Sequence, residues 1–249
     1  MTLTAQSPKK IYLWSTEVKA VYKWTVKVRP EWGWWTYAKY TFDDQNSSQI
    51  TDNSWNGKNL TWNTMPSYVL VSGSNYAWNY ANVSWNSAPY NSGFSSLWDE
   101  FTVLVWAKFT STWQQYLMYI GNNNWYPRQH SEIIFDYKSN IIEYYDYTFS
   151  SGTENTIRTN ILTWVSTWVR HLVGYTRNWT AIQTYADGTA WNSITWHTII
   201  NTTYCVLWSS MWWNRLKWQI WEAIVENKVW TATEISNYYN TTKWNYWIS

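Results

Sequence analysis

The stretch HLVGYTRNWTAIQTYADG, residues 171–188, decides the fold. His171–Arg177 and Ala181–Ala186 are rich in β-branched and aromatic residues, and each reads as a strand. The connection between them holds Asn178-Trp179, and the connection after them is Asp187-Gly188. Two-residue hairpin loops need φ > 0, so Asn-Gly and Asp-Gly dominate them. Asp187-Gly188 obeys that rule and Asn178-Trp179 breaks it. Two successive hairpins of this kind predict an antiparallel sheet.

The same pattern extends outward in both directions. Strand-like runs occur at 37–42, 68–71, 101–109, 114–120, 132–137, 141–149, 157–165, 203–208 and 216–225, with a polar loop at 47–59. Phe101-Thr102-Val103-Leu104-Val105-Trp106-Ala107 is nearly continuous in apolar character, as expected of a central strand covered on both faces. Thr231-Ala232-Thr233-Glu234 is a capping box. Ile235, Tyr238 and Tyr239 then fall at i, i+3 and i+4, predicting a two-turn helix at 232–239. The expected fold is all-β: an antiparallel jelly-roll β-sandwich at 36–249 with one short C-terminal helix. Residues 1–35 form an arm. Within it, 11–18 and 21–28 repeat at an offset of ten, each a short alternating run around a tryptophan. So short a segment cannot bury a core alone and is expected to dock elsewhere.

The tryptophans are out of place. The chain holds 26 Trp and 8 Gly in 249 residues, where average usage gives about 17 glycines. Trp55, Trp62, Trp78, Trp85, Trp191, Trp213 and Trp244 all precede Asn. Gly beside Asn is turn chemistry, whereas Trp-Asn is not. This excess and deficit are those of a gene whose UGA codons mean glycine, translated by a table in which UGA means tryptophan. About twenty of the 26 would then be glycines, since a local rule is broken so often without compensation. Trp106 and Trp230 stand in strand-like or packed contexts and read as genuine.

With glycine at the suspect positions, 171–188 and 214–240 resemble the LamG-like jelly-roll domain of the concanavalin A-like lectin/glucanase superfamily. The resemblance rests on His171, the Asn178 hairpin, Asp187-Gly188, Ile220 with Glu222, and the Trp230–Ile235 helix start. Tyr40–Asp43 looks like the family's opening strand, and Val103–Lys108 like its central one. This implies the sandwich over roughly 36–249 but not one function, because the fold hosts lectins, adhesins, hydrolases and spacers. The arm weakly resembles short repeats of phage tail and virion proteins, which implies a virion or cell-surface location.

Composition narrows the function classes. Charged residues are 14% and the net charge is +2, so no polybasic footprint for nucleic acid is present. No apolar run is long enough for a transmembrane helix, and the first ten residues lack the apolar core of a Sec signal. Cys205, the single cysteine, is expected to be a buried core thiol. The glucanase branch carries carboxylates at i, i+2 and i+4 of one strand. Here Glu132 and Asp136 flank Ile134, about 13 Å apart, too far for either glycosidase geometry. Glu143 and Asp146 face opposite sides of their strand. The expectation is a non-catalytic binding or adhesion module for a glycan or cell-surface polysaccharide. The alternatives are a structural decoration protein docked to virion proteins through residues 1–30 and, third, a glycoside hydrolase. Asn124, Trp125 and Tyr126 combine an aromatic platform with amides and are the candidate sugar site. Asp43, Asp44 and Asp52 are the candidate Ca²⁺ ligands, because calcium takes loop carboxylates and carbonyls.

Overall fold

In the computed structural model the described residues are 12–13, 16–17, 36–41, 49–54, 56–61, 67–72, 75–81, 90–91, 100–109, 115–121, 128–136, 141–150, 153–166, 169–179, 181–195, 204–207 and 217–246. The chain separates into two compact units, Met1–Thr36 and Tyr37–Ser249. In the first, β1 (Tyr12–Leu13) and β2 (Thr16–Glu17) pair antiparallel. The rest of the 11–30 repeat lies outside the described residues.

The second unit is an antiparallel β-sandwich. Its early strands are β3 (Thr36–Tyr40), β4 (Gln49–Ile50), β5 (Leu60–Thr61), β6 (Ser67–Ser72), β7 (Asn75–Ala81) and β8 (Tyr90–Asn91). Then come β9 (Glu100–Phe109), β10 (Gln115–Gly121), β11 (Arg128–Asp136), β12 (Ile141–Ser150) and β13 (Thr153–Thr163). The last are β14 (Arg170–Asn178), β15 (Ala181–Ala186), β16 (Thr189–Ile194), β17 (Tyr204–Leu207) and β18 (Lys217–Glu226), followed by α1 (Ala232–Tyr246). One sheet runs β13-β12-β11-β10-β17-β8-β5-β4, and the other β16-β15-β14-β9-β18-β7-β6 with β3 on β18.

The 2.0 period of a strand sorts each sheet's residues between core and surface. Val103, Val105 and Ala107 of β9, Val173 and Tyr175 of β14, and Ala223 and Val225 of β18 meet Met118, Ile120, Ile133, Ile142, Tyr144, Ile161 and Cys205 of the facing sheet. Tyr144 and Tyr175 touch edge-on at 4.7 Å between ring centres. Cys205 is fully buried, and burial pushes its thiol pKa up. On β12, Asp146 is buried and Glu143 lies on the other face.

Strand β9 is apolar on both faces because α1 covers the second. Trp106 is fully buried, its ring stacks on Tyr239 at 5.6 Å, and its indole N–H donates to Thr242 Oγ1 at 3.1 Å. Burial of that ring removes roughly 200 Å² from water, worth about 5 kcal/mol. The capping box forms: Glu234 N–H donates to Thr231 Oγ1, and Glu234 Oε2 accepts from Thr231 N–H. Lys228 Nζ also pairs with Glu234.

Several details differ from the sequence expectation. The helix runs to Tyr246 rather than ending at 239, because Thr242 extends the buried stripe of Ile235 and Tyr238 by one turn. Its hydroxyl satisfies itself on Tyr238 O at 2.7 Å, which a polar residue needs when buried. The loop expected at 47–59 contains β4 and leads into β5, which pair as Gln49↔Thr61 and Ile50↔Leu60. The first hairpin loop is shifted by one residue. Asn178 pairs with Ala181, so the loop begins at Trp179 rather than at Asn178. Strands β7, β8 and β16 had no recognisable alternation, since Asn, Ser and the suspect tryptophans interrupt it.

Candidate functional site

The expected sugar residues Asn124, Trp125 and Tyr126 lie outside the described residues. They fall between β10 and β11, past the last pair Gly121↔His130.

Of the expected calcium ligands, Asp43 and Asp44 also lie outside the described residues, and Asp52 is well defined. Asp52 is buried in the turn between β4 and β5. Its Oδ1 accepts the N–H groups of Lys39 at 3.0 Å and Ser54 at 2.8 Å, and its Oδ2 accepts that of Lys58 at 2.9 Å. Its own N–H donates to Asn59 Oδ1 at 2.8 Å. The carboxylate thus gathers three backbone donors from β3 and both arms of the loop. Tyr40 adds a bond from its hydroxyl to Lys58 O at 2.7 Å. Among the described residues, no group of three or more His, Cys, Asp or Glu side chains is placed to hold a metal ion.

His171 and Asp187 form a second polar centre. His171 Nδ1 lies 2.8 Å from Asp187 Oδ2, and Leu172 N–H donates to Asp187 Oδ1 at 3.0 Å. Asp187 N–H returns a bond to Leu172 O at 2.8 Å. His171 Nε2 is buried and has no hydrogen-bond partner among the described residues. The pair clamps the second hairpin to the start of β14. A third centre joins β3, β18 and α1: Glu222 is bound by Lys39 Nζ at 2.7 Å and by the Tyr238 hydroxyl.

The tryptophans divide by environment. Trp106 and Trp230 are buried; Trp106 has its hydrogen-bond partner, and Trp230 packs edge-on against Tyr238. Trp164 and Trp179 adopt φ of 58° and 52°, a region that bulky side chains rarely enter. Trp164 is 87% exposed and Trp179 53% exposed. Trp221 is the extra residue of a β-bulge between Ile220 and Glu222, and its buried indole N–H has no hydrogen-bond partner among the described residues.

No family model matches this chain. No curated protein resembles it in sequence. Solved structures do resemble it in fold. The binding domain of Paraclostridial Mosquitocidal Protein 1 superposes with a TM-score of 0.63 at 16% identity, over 83% of this chain and 52% of that one. Domain 4 of AbnA, a GH43 extracellular arabinanase from Geobacillus stearothermophilus, in complex with arabinotriose, gives 0.59 at 15% identity, over 81% of this chain and 97% of that one. The binding domain of botulinum neurotoxin DC in complex with SialylT gives 0.60 at 13% identity, over 83% and 51%. The fold is that of β-sandwich binding domains. The chain spans about half the length of the toxin domains it matches. Sequence reasoning missed the Asp52 hub, whose only signal was an Asp followed by turn residues, and the Lys39–Glu222 pair, which joins segments far apart in the chain.

Proposed function

We propose that this chain is a non-catalytic carbohydrate-binding module of the LamG-like type, acting in adhesion at a cell surface or on a virion. The observation that carries the reading is the match to nearly the whole of AbnA domain 4, a domain solved with arabinotriose. The toxin domain solved with SialylT supports the same class. The loop with Asn124, Trp125 and Tyr126 is the proposed sugar site. Asp43, Asp44 and Asp52 are proposed to recruit Ca²⁺. Binding to a glycan array, lost in Trp125→Ala and in EDTA, is the expected result. Binding that survives both changes overturns these sites. Cleavage of a polysaccharide, abolished by Glu132→Gln, overturns the non-catalytic assignment.

We also propose that most suspect tryptophans, Trp164, Trp179 and Trp221 among them, are glycine in the natural protein. The positive φ of Trp164 and Trp179 supports this reading, because that backbone conformation favours glycine. Peptide mass mapping of protein from its native source reads this directly. Tryptophan at 179 ends the recoding proposal. The second functional reading, a decoration protein docked through residues 1–30, predicts no glycan binding and tight association with other virion proteins.

A further inference from the structure

We infer that Thr184, Asn192 and the Asn160 carbonyl form an edge lock, which seals one side of the sandwich and keeps its two end strands from adding a further chain. Among the described residues β13 ends one sheet and β16 ends the other. An end strand presents an unpaired row of N–H and C=O groups, to which another strand can add. Both ends here carry a bulge. On β13 the partners step from Ile142↔Leu162 to Glu143↔Asn160, which leaves Ile161 as the extra residue. On β16 they step from Gln183↔Ser193 to Tyr185↔Ala190, so Trp191 and Asn192 together oppose Thr184. A bulge interrupts the ladder and re-aims the groups beside it.

The two bulges meet through side chains. Thr184 is fully buried and alternates on β15 with the core residues Ile182 and Ala186. Its hydroxyl lies 3.1 Å from Asn160 O on the other sheet and 3.1 Å from Asn192 O. It also accepts the Asn192 N–H at 3.0 Å. Asn192 Nδ2 donates to the same Asn160 O at 2.9 Å. Gln183 Nε2 braces the bulge, donating to Asn192 O at 3.0 Å and to Thr184 O at 3.1 Å. One carbonyl of the first sheet thus takes two donors from the second. Both of its lone pairs are engaged, so an added strand finds no acceptor there. A fully buried hydroxyl is costly to leave unpaired, and that cost resists separation of the sheets at this edge. None of these hydrogen bonds involves a tryptophan side chain.

The test uses the full chain and two readouts: native-state hydrogen exchange, strand by strand, and sedimentation velocity across a wide range of concentration. Thr184→Val keeps the side chain's shape and removes its hydroxyl. Amides of β13 and β16 should then exchange about ten-fold faster, the ratio expected for one lost hydrogen bond. Those of β9 and β14 should keep their protection, and the variant should self-associate more than the native chain as concentration rises. Asn192→Ala removes the second donor to Asn160 O and should act in the same direction. It leaves every core side chain in place, so it carries the test should Thr184→Val not fold. Thr184→Ser restores the hydroxyl and should behave as the native chain does. Unchanged exchange in β13 and β16, or an equal acceleration in β9 and β14, overturns the lock. Faster exchange at the two edges in a chain that self-associates no more than the native one overturns its protective role.

Discussion

Two hairpin loops close successive pairs in the β14–β15–β16 meander, and they differ in one respect. Asp187-Gly188 has φ of 49° and 78°, the geometry of the tight turns that suit right-twisted strands. Its aspartate bonds His171 and the Leu172 N–H, so the left-handed backbone is held by side-chain chemistry. Trp179 occupies the equivalent first loop position at φ 52°. Its indole N–H reaches only Glu100 Oε1, at 2.6 Å, with the ring half in solvent. The backbone takes the same left-handed conformation at the first position of both loops, and aspartate suits it where tryptophan does not. The same contrast separates Trp106, which packs and bonds, from Trp221, which sits in a bulge and whose indole N–H has no partner among the described residues.

The largest test of this contrast removes the two buried indoles in turn. Trp106→Gly should cost about 4 kcal/mol, as a large-to-small change in a packed site. Trp221→Gly should cost under about 1 kcal/mol, since it frees a buried donor from its desolvation penalty. Urea midpoints measure both, and equal losses would erase the distinction between them.

Glycine positions supply the next test. A Cβ on Gly174 would stand 1.9 Å from Val103 O, so Gly174→Ala forces β14 and β9 apart and should cost about 3 kcal/mol. At Gly188, with φ +78°, a Cβ would meet Tyr239 Cβ at 2.9 Å. Gly188→Ala should lose about 2 kcal/mol, from backbone strain and from displacement of α1. The reverse change in the other loop, Trp179→Gly, should gain about 1 kcal/mol by relieving the left-handed strain. A loss there would mean that the indole bond to Glu100 outweighs the strain.

The smallest effect concerns pH and the start of α1. Burial alone would raise Glu234, but the bonds from Lys228 and Thr231 override it and hold the carboxyl below its ordinary 4.5. A depressed folded value gives stability that is full above 4.5 and is lost as pH falls through the lower folded value. Glu234→Gln should therefore flatten the acid limb of the stability profile slightly, because the pair is largely exposed and screened.

Much of the sandwich was legible from the chain. β9, β14 and β15 are long β-branched and aromatic runs, and their boundaries moved by at most a few residues. The capping box of α1 was legible because its rule is local. The second half of that helix was not, because Asn240-Thr241-Thr242 are poor helix formers, and only the contact of Thr242 with Trp106 explains why they continue it. Asp52 was recognised as a loop carboxylate. Its role in gathering Lys39, Ser54 and Lys58 became clear only once β3 was placed beside the β4–β5 turn. That Arg170 on β14 stands opposite Lys108 on β9 was invisible in sequence, since the two lie on strands far apart in the chain.

By itself, the sequence determined the all-β class, the antiparallel hairpins and the helix start. These follow from interactions between residues a few positions apart. Tertiary structure alone decided which strands neighbour each other, that α1 covers the outer face of β9, and that two cations stand side by side at one end of the sheet. Register between distant strands is set by burial of both faces at once, a condition that no local stretch of this chain contains.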